Sequence, residues 1–279
     1  MPVELAPAYL KKTRELIKKY DIKPNKALGQ NFLVSGEAVR RIIEALEPDG
    51  RNVLEIGPGL GILTEEIAKR ASSAAAVEID ASMVNVLRNE LGNYNNLAVI
   101  HSDFLKVDHE KIREMLGEQI AVAGNLPYYI TTPIATSLLT SRLAPETIVL
   151  TVQREAAQRF FARPGERVYG PLAALSQTAY DISPVMRISA SGFYPAPEVD
   201  SAVVKLSRRH GPLPDMGAFS SFLQTAFSMR RKTLGNNLNG IVSREETARI
   251  LESMGLPADS RAEMLSPSEL AEFSARIGR

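Results

Sequence analysis

Asn125-Leu126-Pro127-Tyr128 has residue types suited to chemistry on a planar amine. The Asn125 side-chain oxygen and a neighbouring backbone carbonyl would be two acceptors set side by side. An exocyclic base amine such as adenine N6 is a poor nucleophile, because its lone pair is delocalised into the ring. Acceptors on its hydrogens would favour the pyramidal geometry that the nitrogen must reach in attacking an electrophile. Tyr128 would supply a flat face for the base to stack on. No general base is required, since a newly methylated nitrogen is a strong acid and loses its proton to water. An ordinary Asn/Pro turn would carry similar residues, so the position of the segment in the chain decides its meaning.

A second constellation lies upstream. Glu55-Ile56-Gly57-Pro58-Gly59-Leu60-Gly61 follows an apolar run and precedes a helical pattern. Glycines there let the backbone bend sharply and let a ligand approach without a Cβ in the way. Glu78 closes the next apolar run and could hydrogen-bond a ribose diol. Asp103 ends the third and could receive an adenine amino group. A dehydrogenase would show a comparable pattern, but the spacing G-x-G-x-G departs from the G-x-G-x-x-G that cradles a pyrophosphate. S-adenosylmethionine, which has no phosphate, does not need that cradle.

The elements that must hold these residues follow from periodicity. Apolar runs at 52–56, 74–79, 97–101 and 120–123 read as buried strands, separated by helical patterns at 63–70, 82–91 and 108–116. The tetrapeptide directly follows the fourth strand, where ligands of open α/β sheets bind. A helix opened by Pro133 and a strand over 147–152 come next. Helices over 154–161 and 171–180 lead to β-rich runs at 185–189 and 202–206, expected as an antiparallel pair at one edge. Strands alternating with helices indicate a parallel sheet covered on both faces. A basic amphipathic helix over 7–20 precedes all of this. The stretch Arg208–Pro214, with one Gly and two Pro and no apolar period, marks an expected boundary between a domain at 1–210 and a helical one at 211–279. Helices over 219–229, 244–254 and 267–276, with Ser243 and Ser266 as caps, fill the latter.

Composition narrows the class. With 44% apolar and 23% charged residues, the chain is an ordinary globular protein of one large and one small domain. It has no cysteine, and its three histidines (His101, His109 and His210) lack ligand spacing, so no metal is expected. The first ten residues lack the apolar core of a signal peptide. No run approaches the ~18 apolar residues of a membrane span, so a cytoplasmic location is expected. Net charge is only +1, but its distribution is uneven. Residues 1–28 carry seven Lys/Arg against three acids, residues 196–240 six against three, and residues 51–125 seven against eleven. An acidic centre with basic flanks suits a cation in one site and a polyanion elsewhere, although solvated helix faces would give the same counts.

The chain closely resembles the KsgA-type ribosomal RNA adenine dimethyltransferases over essentially its whole length. The resemblance rests on Lys26-Ala27-Leu28-Gly29-Gln30-Asn31-Phe32-Leu33, EIGPGLG at 55–61, Glu78, Asp103 and NLPYYIT at 125–131, in that order. It continues with Phe193-Tyr194-Pro195-Ala196-Pro197-Glu198-Val199-Asp200-Ser201 and Arg230-Arg231-Lys232-Thr233-Leu234. It implies an α/β fold: a class I S-adenosylmethionine-dependent methyltransferase with a Rossmann-like sheet of seven strands, the last pair antiparallel, and a small C-terminal helical domain. It implies S-adenosylmethionine held by Asn31, Leu33, Gly57, Glu78, Asp103 and Asn125, with no metal. The catalytic segment would be Asn125, Leu126, Pro127 and Tyr128, with the target adenine between Tyr128 and Phe193. Arg230, Arg231 and Lys232 would bind RNA. The implied reaction dimethylates N6 of two adjacent adenosines near the 3′ end of small-subunit (16S) rRNA during ribosome assembly, on the small subunit itself, by a monomer. One departure is that Gly235 follows RRKTL, where the family usually has a basic residue. Alternatives are the large-subunit rRNA methyltransferases of macrolide resistance, a non-catalytic assembly or transcription factor on the same fold, and a dehydrogenase. A DNA adenine methyltransferase would more often read D/N-P-P-Y where Leu126 stands here.

Overall fold

A computed structural model describes residues 5–25 and 28–277, apart from the side chains of residues 5–7 and 128. Lys26 and Ala27 of the first motif lie outside the described residues. The basic helix is α1 (Leu5–Lys19), followed by a two-residue strand β1 (Phe32–Leu33) and by α2 (Gly36–Leu46). The periodicity reading above did not separate α2, although its signals are present. The Ser35 hydroxyl caps it by accepting from the Ala38 N–H, and Ala38, Val39, Ile42, Ile43 and Leu46 form one buried stripe.

Then β2 (Asn52–Ile56), α3 (Ile62–Ala68), β3 (Ser73–Glu78), α4 (Ala81–Glu90), β4 (Leu97–His101), α5 (His109–Leu116), β5 (Ile120–Asn125), α6 (Thr131–Thr140) and β6 (Thr147–Gln153) alternate. They are followed by α7 (Arg154–Phe161), α8 (Pro171–Ala179), β7 (Tyr180–Ile188), β8 (Phe193–Tyr194) and β9 (Ser201–Arg208). The chain closes with α9 (Met216–Ala226), α10 (Leu234–Asn237), α11 (Arg244–Ser253) and α12 (Pro267–Ile277).

Seven strands form one sheet in the order β4-β3-β2-β5-β6-β9-β7. The first five are parallel, and β9 runs antiparallel to β6. Central strands are covered on both faces, which is why they read as continuous apolar runs: Val53, Leu54, Ala75 and Ala121 are almost fully buried. The strands at 185–189 and 202–206 are neighbours, as expected, but the later one is inserted next to β6 and the earlier one lies at the edge. Three residues explain the order. Pro184 within β7 has no N–H to donate to a ladder and so suits an edge strand, whereas Val203 and Val204 of β9 are wholly buried.

Neighbours β3 and β5 flank β2, so the connections leave it in opposite directions. A crevice opens there, beyond the carboxyl ends of β2 and β5. A second, two-stranded sheet joins β1 to β8 with Phe32 opposite Tyr194 and Leu33 opposite Phe193. It fastens the first motif to the F-Y-P-A-P segment, a pairing between residues far apart in sequence.

The chain forms two compact units. One comprises Met1–Ile134, Arg142–Ala157 and Ser183–Arg208; the other comprises Ala135–Ser141, Gln158–Ile182 and Arg209–Arg279. In the second, α9 and α12 pack on α8, and the Phe219, Phe222 and Phe273 rings stack. Tyr169, fully buried, donates its hydroxyl to the Leu265 carbonyl at 2.9 Å. No helix among the described residues is long and apolar enough to cross a membrane.

Candidate active site

The end of β2 delivers the chain into the glycine turn. Gly57 and Gly61 have φ of 68° and 81°, a region that strains any residue with a side chain. At Gly61 space is also lacking, because a Cβ would fall 2.8 Å from Leu87 Cδ2 on α4. Gly57 lines the cleft and has only the Asn125 carbonyl near its missing Cβ, at 3.7 Å. Glu78, at the end of β3, ties the turn down. One carboxylate oxygen accepts from the Gly59 N–H at 3.1 Å and the other from the Asp80 N–H at 2.9 Å. Burial raises its pKa above the ordinary carboxylate value. Asp103 lies just past β4, where Oδ1 accepts from the Leu105 N–H at 3.0 Å and the Lys106 ammonium stands 3.9 Å away.

Asn125 ends β5. Its Nδ2 donates to the Asn31 carbonyl at 3.0 Å, so the amide is oriented and Oδ1 is left as an acceptor. Asn31 in turn donates to the Gly29 carbonyl at 3.1 Å. The chain then tightens into a short 3-10 turn over Tyr128–Ile130. There the Pro127 carbonyl accepts from the Ile130 N–H at 3.1 Å and from the Thr131 hydroxyl at 3.3 Å.

Asn31, Leu33, Gly57, Glu78, Asp103 and Asn125 line one cleft, with Pro127 beside them. Three wall residues are acids (Glu55, Glu78 and Asp103), and no described wall residue is Lys or Arg. Such a cleft repels a pyrophosphate and suits a ligand with net positive charge. Ile79, 50% exposed, and Tyr129, 63% exposed, add apolar surface to the wall. Gln30 lines it too, held by a 2.7 Å hydrogen bond to Asp80. Glu55, Ile79 and Gln30 were missed as site residues. All three sit inside or directly beside recognised motifs, and that adjacency was the available signal. Among the described residues no group of three His, Cys, Asp or Glu is placed to hold a metal.

Residues 22–277 match the ribosomal RNA adenine dimethylase family. The chain belongs to this family. Its relatives include the ribosomal RNA small subunit methyltransferase A of Geobacillus kaustophilus, 38% identical, with 94% of each chain covered. The protein of the same name from Clostridium botulinum strain Kyoto is 37% identical over 94% of this chain and 97% of its own. Among solved structures, a dimethyladenosine transferase from Plasmodium falciparum superposes with a TM-score of 0.74 at 24% identity, covering 88% of this chain and 98% of that one. The 23S rRNA methyltransferase ErmE gives 0.65 at 28% identity, covering 89% and 100%. The fold is therefore that of the class I methyltransferases, and the protein is an enzyme of the adenine dimethylase family.

Two side chains expected at the business end of such an enzyme are buried in the core instead. Phe193 is 4% exposed and packs in a core cluster with Leu33, Val39 and Ile42. It does not present a free ring to the cleft. The β1–β8 pairing explains this, because it places Phe193 opposite Leu33 on the inward face. Leu126 is also core, with its N–H donated to the Thr151 carbonyl at 3.0 Å. The Tyr128 side chain lies outside the described residues.

The basic segment divides as well. Arg230 donates to the Arg167 and Tyr169 carbonyls at 2.8 and 2.9 Å, and to the Glu166 carbonyl at 3.4 Å. Its guanidinium is committed to holding the loop before α8. Arg231 and Lys232 are exposed and carry no such commitment. The lysines of α1 are partly spent: Lys12 pairs with Glu65, and Lys19 with Glu90 at 2.6 Å.

Replacing Arg231 and Lys232 together with alanine should lower the salt slope of RNA binding by up to about two units, with melting unchanged. Arg230→Ala should act mainly on melting, because it strips donors from three carbonyls. An unchanged slope in the double variant would remove the segment from the RNA surface.

Proposed function

We infer that this enzyme transfers methyl groups from S-adenosylmethionine to N6 of two adjacent adenosines near the 3′ end of small-subunit rRNA, giving N6,N6-dimethyladenosine. The observation that carries the reading is Asn125. Its Nδ2 is fixed on the Asn31 carbonyl, which leaves Oδ1 available as an acceptor at the strand end beside the glycine turn and supports this reading. With the Pro127 carbonyl already accepting twice, the Leu126 carbonyl is the candidate second acceptor. Two acceptors on the N6 hydrogens favour the pyramidal nitrogen, and the proton leaves to water after transfer.

The cleft fits S-adenosylmethionine. Gly57 leaves the backbone accessible, Glu78 suits a ribose diol, and Asp103 suits an adenine amino group. Ile79 offers the base an apolar face, and the acidic wall suits a cation. When bound, that ligand supplies an electrophilic methyl group. Asp103→Ala should weaken its binding by about 1–3 kcal/mol, the cost of an unpaired amino group. Unchanged calorimetric affinity in a folded variant would remove Asp103 from the site.

Relatives at 37–38% identity carry the small-subunit name, which favours that substrate over the large subunit. The partner is then the small subunit, met in the cytoplasm by a monomer, with residues 211–279 contributing RNA contacts. The test is product identity. RNA treated with the enzyme and S-adenosylmethionine, then digested to nucleosides, should contain N6,N6-dimethyladenosine. Methylation at any other base or position would overturn the reading.

A further inference from the structure

Three described aromatic side chains line the cleft: Phe32, Phe104 and Tyr129. Phe32 and Phe104 are buried, whereas Tyr129 is 63% exposed. A single exposed aromatic is common on protein surfaces. What sets this one apart is how it is held. Its backbone lies in the 3-10 turn Tyr128–Ile130, where the Pro127 carbonyl accepts from the Ile130 N–H at 3.1 Å and the Thr131 hydroxyl at 3.3 Å. Gly29 closes on this turn from the first motif. Its φ is 61°, and a Cβ there would stand 3.2 Å from Pro127 Cβ and 3.8 Å from Tyr129 Cε1. The absent side chain lets the glycine backbone lie close beside the ring. Tyr129 is therefore backed by the motif that carries Asn31 and open to solvent at the cleft, just beyond Asn125 in the chain.

We propose that Tyr129 is a stacking platform for the base next to the target adenosine, holding that neighbour while the target enters the cleft. The proposal rests on the reading of the reaction as adenine N6 methylation and extends it to the flanking RNA. A base whose N6 is to reach Asn125 must leave its stack, because stacked neighbours cover both of its faces. Its departure uncovers one face of the next base, which has then lost a stacking partner. An aromatic ring at the cleft replaces that partner. Such a contact tolerates any sequence, since every base has a π-face. With two adjacent adenosines to be methylated, each target in turn leaves a neighbour to be covered. Tyrosine suits the place, because its ring is rigid and amphipathic and tolerates exposure to water when no RNA is bound.

The test compares wild type with Tyr129→Phe, Tyr129→Leu and Tyr129→Ala in methyl transfer onto small ribosomal subunits that lack the modification. Calorimetry with S-adenosylmethionine and thermal melting are run on each variant. Tyr129→Ala should lower kcat/KM for the subunit by roughly 5- to 150-fold, the span expected for one lost base–aromatic stack. Tyr129→Phe should stay close to wild type, and Tyr129→Leu, apolar but not flat, should lose most of what alanine loses. S-adenosylmethionine affinity and melting should be unchanged throughout, because the ring is exposed. Equal activity in wild type and Tyr129→Ala overturns the proposal. So does a loss in Tyr129→Phe as large as in Tyr129→Ala, which would assign the contact to the hydroxyl. Weakened S-adenosylmethionine binding that accounts for the whole loss overturns it too, placing Tyr129 in the cofactor wall. Absence of adenine N6 methylation by wild type would instead overturn the reading of the reaction, and this proposal with it.

Discussion

Replacing Asn125 with alanine should depress kcat by about 10²–10³, while S-adenosylmethionine affinity changes far less. The expectation follows from a hydrogen bond that the side chain makes with its other end. Nδ2 is held 3.0 Å from the Asn31 carbonyl, so Oδ1 is preorganised and needs no reorganisation when charge develops on the attacking nitrogen. Losing one such partner removes about 3–4 kcal/mol of transition-state stabilisation. The truncation also frees the Asn31 carbonyl, so a modest rise in the ligand's Kd is expected too. Single-turnover rates at saturating cofactor separate the two effects. Near-normal turnover in the alanine variant would rule Asn125 out as catalytic.

Phe193→Ala should be the most destabilising single change in the first motif's surroundings, at about 3–5 kcal/mol. The ring is 4% exposed and shares a cluster with Leu33, Val39, Ile42 and Ile188, so truncation leaves a cavity. At roughly 2–4 °C per kcal/mol for a protein of this size, melting should fall by about 10 °C. Phe193→Leu should recover most of that. The β1–β8 pair also holds Leu33 at the cleft, so the alanine variant should bind cofactor more weakly in proportion to its looseness. If it melts like wild type yet loses methyl transfer, the ring is a stacking surface for the target base and the packing account is wrong.

Local pattern made much of the sheet domain readable. Strands over 52–56, 97–101 and 147–152 reappear in β2, β4 and β6 within a residue, because buried parallel strands are continuous apolar runs. The six positions expected to hold a cofactor line one cleft because strand ends on one edge of such a sheet share a crevice, whatever the separation in sequence. Three things were not readable, each for a physical reason. The β1–β8 pairing joins two-residue strands about 160 positions apart, too short for a periodicity to register. Arg230 clamps backbone carbonyls, and a carbonyl is present at every residue, so nothing in the sequence marks those acceptors. Phe193 could face core or cleft, because strand alternation over two residues leaves both faces open. By contrast, α2 and the edge position of β7 were legible in principle, from the Ser35 cap with its i, i+3, i+4 stripe and from Pro184.

The most direct test of the account is transfer of labelled methyl groups onto isolated ribosomal subunits. Small subunits lacking the modification, and large subunits as control, are incubated with the enzyme and labelled S-adenosylmethionine. Label is then mapped on the RNA. The account predicts label in small-subunit RNA alone, on two adjacent adenosines near the 3′ end and at N6. Label on the large subunit, or none on either with a folded enzyme that binds S-adenosylmethionine, would contradict it.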